Sequence, residues 1–379
     1  MQVDRESPAR VSAAEIEAPE GFASHKLRSR LAFVIVVVLV VVALITLLPG
    51  LAGLRSRLAH AKPAWLALGV VLKLLSGLGY VAAFRMIFCR RMSWRVSTEI
   101  GMAELGANAV LPAGGAGGLA LGAWALKRGG MSGAEIARRT VAFFLLTSVP
   151  NVLGVILIGS ALALGVLAGE HNLLLSALPA AVAAAAVVAT LLAGRLAAEL
   201  GERAAHHPPS SERRWPGVRV RLRAQGLRAL ADGVTESLRL LREGDAVLVA
   251  GLLAYLVFDV AILWAGFRAL GAAPPVAVLA MAYLIGELGG LIPVPGGIGG
   301  LDAGLLGALV LYHVSITAAA GAVLAYRAIA LVVPAIAGGI AFLALRRTLR
   351  QEAEQIAVCA PEAEVEIIGL GRAVIGGEH

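Results

Sequence analysis

Charged side chains are scarce in this chain. Asp, Glu, Lys and Arg make up 15% of its 379 residues, against 59% for the hydrophobic types, where a soluble domain carries about a quarter charged residues. That deficit excludes an ordinary water-soluble domain. Cysteine is nearly absent as well. Cys89 and Cys359 stand far apart and without metal-ligand spacing, which argues against a disulfide scaffold or a zinc site and leaves both as incidental. The phosphate-binding signatures of nucleotide enzymes are missing: no Gly-Lys-Ser/Thr follows the glycine clusters, and no βαβ alternation with a downstream ribose-binding acid surrounds them. No nucleophile–base constellation stands out, and His206 and His207 sit beside prolines in what reads as a solvated loop. The expectation is a protein that is not an enzyme and that holds no metal or cofactor. The net charge of +8 would suggest nucleic acid for a soluble protein. In a chain this apolar it marks cytoplasmic loops and contacts with anionic headgroups instead, so no nucleic-acid partner is expected.

Long apolar runs are what the chain does have. Leu31 to Leu48 contains no charged residue and is long enough to cross most of a hydrocarbon core of about 30 Å. Lys26, Arg28 and Arg30 precede it as they would a signal peptide, but the run exceeds a typical apolar signal core and no small-residue cleavage site follows. It reads as a retained first span. Further spans are expected at 64–88, 138–168, 173–196, 246–270 and 315–345. Two other apolar segments, 98–126 and 276–312, are broken at their middles. The first carries Pro112, Gly114, Gly115, Gly117 and Gly118, and the second Pro293, Pro295, Gly296, Gly297, Gly299 and Gly300. Proline lacks the helix donor and clustered glycine is entropically costly, so each segment is expected to form two half-helices meeting at an elbow. Broken backbone at membrane depth is tolerated where protein encloses it or where it lines a wet cavity.

The distribution of Arg and Lys supports this drawing. With residues 1–30 as a cytoplasmic tail, six spans and two re-entrant hairpins keep Arg85, Arg90, Arg91, Arg95, Lys127, Arg128, the stretch 203–242 and Arg346, Arg347 and Arg350 on the cytoplasmic side, as the positive-inside rule requires. Arg55, Arg57 and Lys62 are the exceptions. The expected fold class is all-α, a polytopic membrane domain over 31–345, with a cytoplasmic basic linker at 197–245 and a cytoplasmic tail at 346–379. Within the linker, the spacing of Val218, Leu222, Leu227, Leu230, Val234, Leu238 and Leu241 suits an amphipathic helix on the membrane surface.

The two broken segments resemble each other. ELGANAVLPAGGAGGLALG from Glu104 aligns with ELGGLIPVPGGIGGLDAG from Glu287, glycine cluster on glycine cluster, with the two acids coinciding after a one-residue gap. Each segment lies between two long spans, so the units 64–168 and 246–345 are expected to be inverted repeats, an arrangement that places a transport site near the bilayer midplane. Glu104, Glu287 and Asp302 are acids in apolar surroundings, where a charge costs a few kcal/mol on insertion scales and is paired or functional. Each either serves a proton or headgroup site or caps a half-helix and pairs with an arginine. Arg327, within the last span, has Asp302, Glu287 or a lipid phosphate as its candidate partners. Lys73 is the better phosphate candidate than Arg85, which is close enough to the cytoplasmic face to snorkel. Asp259 can pair with any of these cations. The half-helix N-termini after Gly118 and Gly300 suit an anionic headgroup.

IPVPGGIGGLDAG from Ile292, followed by an Ala-rich helix, Tyr326-Arg327, Pro334 and Gly338-Gly339, resembles the membrane domain of lysylphosphatidylglycerol synthase, a flippase-like family. The first half agrees through Asn108, Pro112, its glycines and the Arg128-Gly-Gly-Met-Ser132 turn. The resemblance covers roughly 30–345; Asp302 stands where the family commonly has Glu. It implies movement of a lipid between leaflets of the inner membrane of a bacterium or archaeon. An anionic or aminoacylated phospholipid fits, and some relatives are linked to polyprenyl-linked sugars. The soluble lysine-attaching domain of the fused members is expected to have no counterpart here, so a separate synthase or transferase is a partner class left open. The expected substrate-binding residues are Lys73, Glu104, Asn108, Gly114, Gly115, Glu287, Pro295, Gly296, Gly297, Asp302 and Arg327. Two other readings stay open, a small-solute or ion secondary transporter and a non-transporting scaffold for a transferase. A lateral opening lined by Arg or Lys favours the lipid, a closed midplane pocket favours a small solute, and the lack of any cavity favours the scaffold. Oligomeric state is left open.

Overall fold

The computed structural model describes residues 56, 59–110, 116–169, 173–206, 231–289 and 300–351. Among them every regular element is a helix. They run α1 Pro63–Phe88, α2 Trp94–Val110, α3 Ala116–Arg128, α4 Gly133–Ala163 and α5 Leu173–His206, then α6 at 231–243, α7 Ala246–Leu270, α8 Val276–Gly289, α9 Gly300–Leu311 and α10 Ile316–Gln351. Five of them (α1, α4, α5, α7 and α10) are long and apolar enough to cross a membrane, while Val276–Leu288 and Gly300–Leu311 are apolar but shorter. The long ones correspond to five of the six expected spans, and the two short ones to the two sides of the second broken segment; the span at 31–49 and residues 111–115 and 290–299 of the glycine elbows lie outside the described residues.

Local chemistry sets the helix ends. Pro63 occupies the first turn of α1, where its missing N–H costs nothing. At the start of α4 the Ser132 hydroxyl accepts from the Glu135 amide at 3.3 Å, with Glu135 at the capping-box position. Asp245 caps α7 by accepting from Val247 and Leu248 N–H at 2.9 and 3.1 Å. The Arg128-Gly-Gly-Met-Ser132 turn is a Schellman stop: Gly130, at φ 87°, donates to the Lys127 carbonyl and Met131 to that of Leu126. The same stop ends α9, with His313 at φ 58° donating to Val310 and Val314 donating to Leu309.

α1 and α7 form the central antiparallel pair. Lys62 N–H donates to the Ala269 carbonyl at 2.9 Å, the Trp65 and Trp264 rings meet edge to face at 5.1 Å, and Lys73 reaches Asp259 further along. Arg268 lies over both indoles, at 5.2 and 5.7 Å, a clasp at one end of the bundle. The other end carries Arg85, Arg90, Arg95, Lys127, Arg128, Arg138 and Arg139, and there Arg90 bridges to Glu243 and Asp245. We call it the basic end. α2 starts at the basic end and α3 returns to it, the two arms packed antiparallel with Asn108 against Gly118 and Glu104 against Gly122. α8 and α9 are paired in the same way, Gly286 against Leu305, but at the opposite end, where Tyr312 donates to the Leu175 carbonyl at the start of α5.

Each short pair packs on a long helix of the other half. α2 lies on α10, where Gly106 and Gly338 meet so closely that a Cβ on Gly338 would sit 2.5 Å from the Gly106 Cα. Small residues allow helices in lipid this approach, and the packing is its reward. α8 lies on α4, where Leu284 covers Gly154. The core divides accordingly. One cluster, with Phe84, Ile100, Leu121, Leu126 and Phe143, fills the basic end; the other, with Leu263, Leu279, Met281, Leu305 and Leu309, fills the opposite end.

Candidate functional site

Between the two core clusters the α1–α7 crossing is polar. Lys73 of α1 places its ammonium 2.8 and 3.1 Å from the two carboxylate oxygens of Asp259 on α7. Ser76, one turn beyond Lys73, donates to Asp259 Oδ1 at 2.8 Å, and Tyr283 of α8 donates to Oδ2 at 3.3 Å. Lys73 is 7% exposed, Asp259 4% and Ser76 0%, so the pair is closed off in this conformation. A buried charge in lipid needs both a counter-charge and hydrogen bonds for its remaining lone pairs, and Asp259 has them. The Lys73 ammonium also lies 5.8 Å from the centre of the Tyr255 ring.

The second helix pair and α10 bring three more charges to this region. Arg327 of α10 donates from Nε to Asp302 Oδ1. Asp302 sits in the first turn of α9, where the helix dipole favours an anion. Their side chains are 22% and 26% exposed, more open than the Lys73–Asp259 pair. Glu287 of α8 lies within electrostatic reach of Asp259, Arg327, Lys73 and Tyr283. The Tyr283 and Tyr326 rings, 6.1 Å apart and nearly perpendicular, stand beside it. Three carboxylates thus face two cations, and Glu287 has no direct ion pair among the described residues.

Glu104 lies apart from this cluster. Its carboxylate is 3% exposed, accepts a hydrogen bond from the Tyr80 hydroxyl at 2.8 Å and rests on Gly122, whose hydrogen faces it so closely that a Cβ there would fall 1.5 Å from Oε1. Asn108, one turn on, uses its Oδ1 to accept from the Gly118 amide at 2.8 Å, so it ties α2 to α3. Arg85 donates to the Met92 carbonyl at 2.7 Å and lies over the Trp94 ring, at the basic end as expected.

The structure therefore brings together Lys73, Glu287, Asp302 and Arg327 of the expected set, and holds Glu104 and Asn108 in the first helix pair. Gly114, Gly115, Pro295, Gly296 and Gly297 lie outside the described residues. Ser76, Tyr255, Tyr283 and Tyr80 were missed. A signal for two of them was present: Tyr255 precedes Asp259, and Tyr283 precedes Glu287, by one helical turn.

The family model for the lysylphosphatidylglycerol synthase TM region matches residues 32–338. The chain belongs to that family. Comparison with curated proteins returns no match. The match to the lysylphosphatidylglycerol synthase TM region contains every residue of the cluster, as well as Glu104, Tyr80 and both glycine segments. It makes this a multi-pass membrane protein, in agreement with the five spanning helices.

Proposed function

We propose that the protein moves a charged lipid, an anionic or aminoacylated phospholipid or a polyprenyl-linked lipid, between the leaflets of the cytoplasmic membrane. On this reading the basic end faces the cytoplasm and the two helix pairs are re-entrant hairpins of inverted repeats. Helix starts recur at one spacing: Pro63 and Ala246, and Gly133 and Ile316, stand as far apart as Ser76 and Asp259, which are separated by 183 residues. The two Schellman stops, at Gly130 and His313, fall at the same spacing. So do Ser132 and Ser315, whose carbonyls accept from Ile136 and Ala319 one turn later.

The observation that carries the proposal is the contact between Ser76 and Asp259. They are equivalent residues of the two repeats, and equivalent residues touch only where the pseudo-two-fold axis passes. The charged cluster thus lies on that axis, the position a transport site takes in inverted-repeat transporters. An arriving phosphate would compete with Asp302 for Arg327, whose guanidinium keeps further donors free for a forked contact. Acyl chains would remain in lipid. The burial of Lys73 and Asp259 favours, as a second reading, a small solute or ion bound at the same axis.

The test is leaflet exchange of fluorescent phosphatidylglycerol and phosphatidylcholine in proteoliposomes. Protein-dependent exchange that prefers the charged lipid and is lost in Arg327→Gln supports the lipid reading. No exchange of either lipid, with uptake of an ion or small solute across the same vesicles, replaces it with the second reading. Neither activity in a folded protein leaves the scaffold.

A further inference from the structure

We propose that Glu104 is the proton-carrying site of this protein, holding a proton in the closed conformation and exchanging it with water when the first helix pair opens. The inference rests on the transport reading and adds to it a source of free energy, a proton gradient.

The cluster on the axis and the surroundings of Glu104 differ in one respect. Glu287, at the matching position of the second repeat, has Lys73 and Arg327 within electrostatic reach. Glu104 has neither. From α1 it faces Tyr80, and from α3 the bare backbone of Gly122. The elements packed beyond these contribute the Phe143 ring of α4 and Tyr255 of α7, both against Tyr80, and from α10 Pro334 and Gly338 against Gly106. The charges on these elements are engaged elsewhere or lie away. Lys73 holds Asp259, Arg327 holds Asp302, and Arg138 and Arg139 hold Glu135. On α2 itself, Glu99 pairs with Arg95 and accepts from Thr348. Lys127 and Arg128 end α3, more than a turn past Gly122, with Arg128 over the Trp124 ring.

A carboxylate without a counter-charge, in lipid and 3% exposed, is far less stable than a neutral carboxyl group. A bound metal ion would need a shell of oxygens. Glu104 and Tyr80 offer too few, Asn108 Oδ1 already accepts from Gly118, and no group of three His, Cys, Asp or Glu side chains placed to hold a metal ion occurs among the described residues. A proton is the cation that fits. Its release requires water, and α2 is held against α10 and α3 by glycine contacts and by two hydrogen bonds, Thr348 to Glu99 and Gly118 to Asn108, all of which can separate without breaking an ion pair. In one cycle Glu104 would give its proton to water on one side and take one from water on the other, while the cluster on the axis carries the substrate.

Infrared difference spectroscopy of the full chain in phosphatidylcholine–phosphatidylglycerol vesicles tests the site without transport. At neutral pH the wild type should show the carbonyl stretch of a protonated carboxyl that is lost in Glu104→Gln and displaced in Tyr80→Phe. If the spectra of wild type and Glu104→Gln agree in that region, the site is overturned. The transport arm uses leaflet exchange under imposed pH gradients: wild-type exchange should change several-fold when the gradient is reversed, and Glu104→Gln exchange should not respond. A protonated Glu104 with no exchange of any lipid would overturn the lipid reading and keep the proton site. Exchange that ignores the gradient in the wild type would keep the lipid reading and overturn the proton's role in it.

Discussion

Lys73 and Asp259 illustrate how strongly a single contact can be committed in this fold. Removing one member leaves the other charge buried and unpaired, so Lys73→Met should lower stability by about 3–5 kcal/mol. Lys73→Met combined with Asp259→Leu should recover most of that loss, because a buried ion pair is often no more stable than apolar residues of similar size. Thermal unfolding in detergent reads both, and additive losses would contradict the pairing. At Gly122, alanine would drive its Cβ into the Glu104 carboxylate; overpacking of this kind costs about 1–3 kcal/mol, and Glu104→Ala in the same chain should relieve it. The acids and cations themselves were visible in the sequence, since charge in an apolar segment stands out. Their pairing was only partly visible: Arg327 had several candidate partners and took Asp302, and Lys73, favoured for phosphate, is occupied by Asp259. Hydroxyl groups such as Ser76 and Tyr283 carry no comparable insertion penalty, and nothing but the one-turn spacing of tyrosine before acid marked them.

The helices were readable for simpler reasons. Apolar runs of membrane length showed them, while the Pro63 start, the Ser132 capping box and the Gly129–Gly130 stop, which act within a few residues of themselves, set ends that the runs alone misplaced, as for α4, expected from 138 and found from Gly133. Replacing Asp245 by alanine should therefore destabilise the start of α7 by about 0.5–2 kcal/mol, measurable as faster amide exchange at Val247 and Leu248. Helix partners were not readable, because α1, α7 and α10 are apolar on nearly every face and a helix of that kind shows no preferred side. Neighbours were decided instead by small residues. Gly106 and Gly338 seat α2 on α10, a long-range contact between the two halves that no local pattern specifies. A cysteine pair replacing Trp65 and Trp264, whose ring centres are 5.1 Å apart, should be joined by a short bifunctional thiol reagent that fills the space the indoles vacate, since a direct disulfide needs Cβ atoms about 4 Å apart. Failure of that cross-link would contradict the antiparallel pairing. The resemblance of the two glycine segments was visible in the sequence; the likeness of the two Schellman stops was not, because histidine rather than glycine fills the left-handed position at His313.

At the scale of the whole molecule, two halves exchange their short helix pairs, and the charged cluster sits where the halves meet. This geometry makes the cluster sensitive to any relative movement of the halves, since Lys73 and Asp259 join an element of each, while Asp302 and Arg327 join α9 to α10 within the second half. Arg90, which bridges to Glu243 and Asp245 at the exposed basic end, provides the control. Exposed ion pairs contribute about 0–1 kcal/mol and lie off the proposed route. The decisive measurement is the rate of leaflet exchange of fluorescent phosphatidylglycerol in proteoliposomes containing wild type, Arg327→Gln, Asp302→Asn or Arg90→Gln at matched, folded protein. The account predicts exchange in wild type and Arg90→Gln and its loss in Arg327→Gln and Asp302→Asn; equal exchange in all four would contradict it.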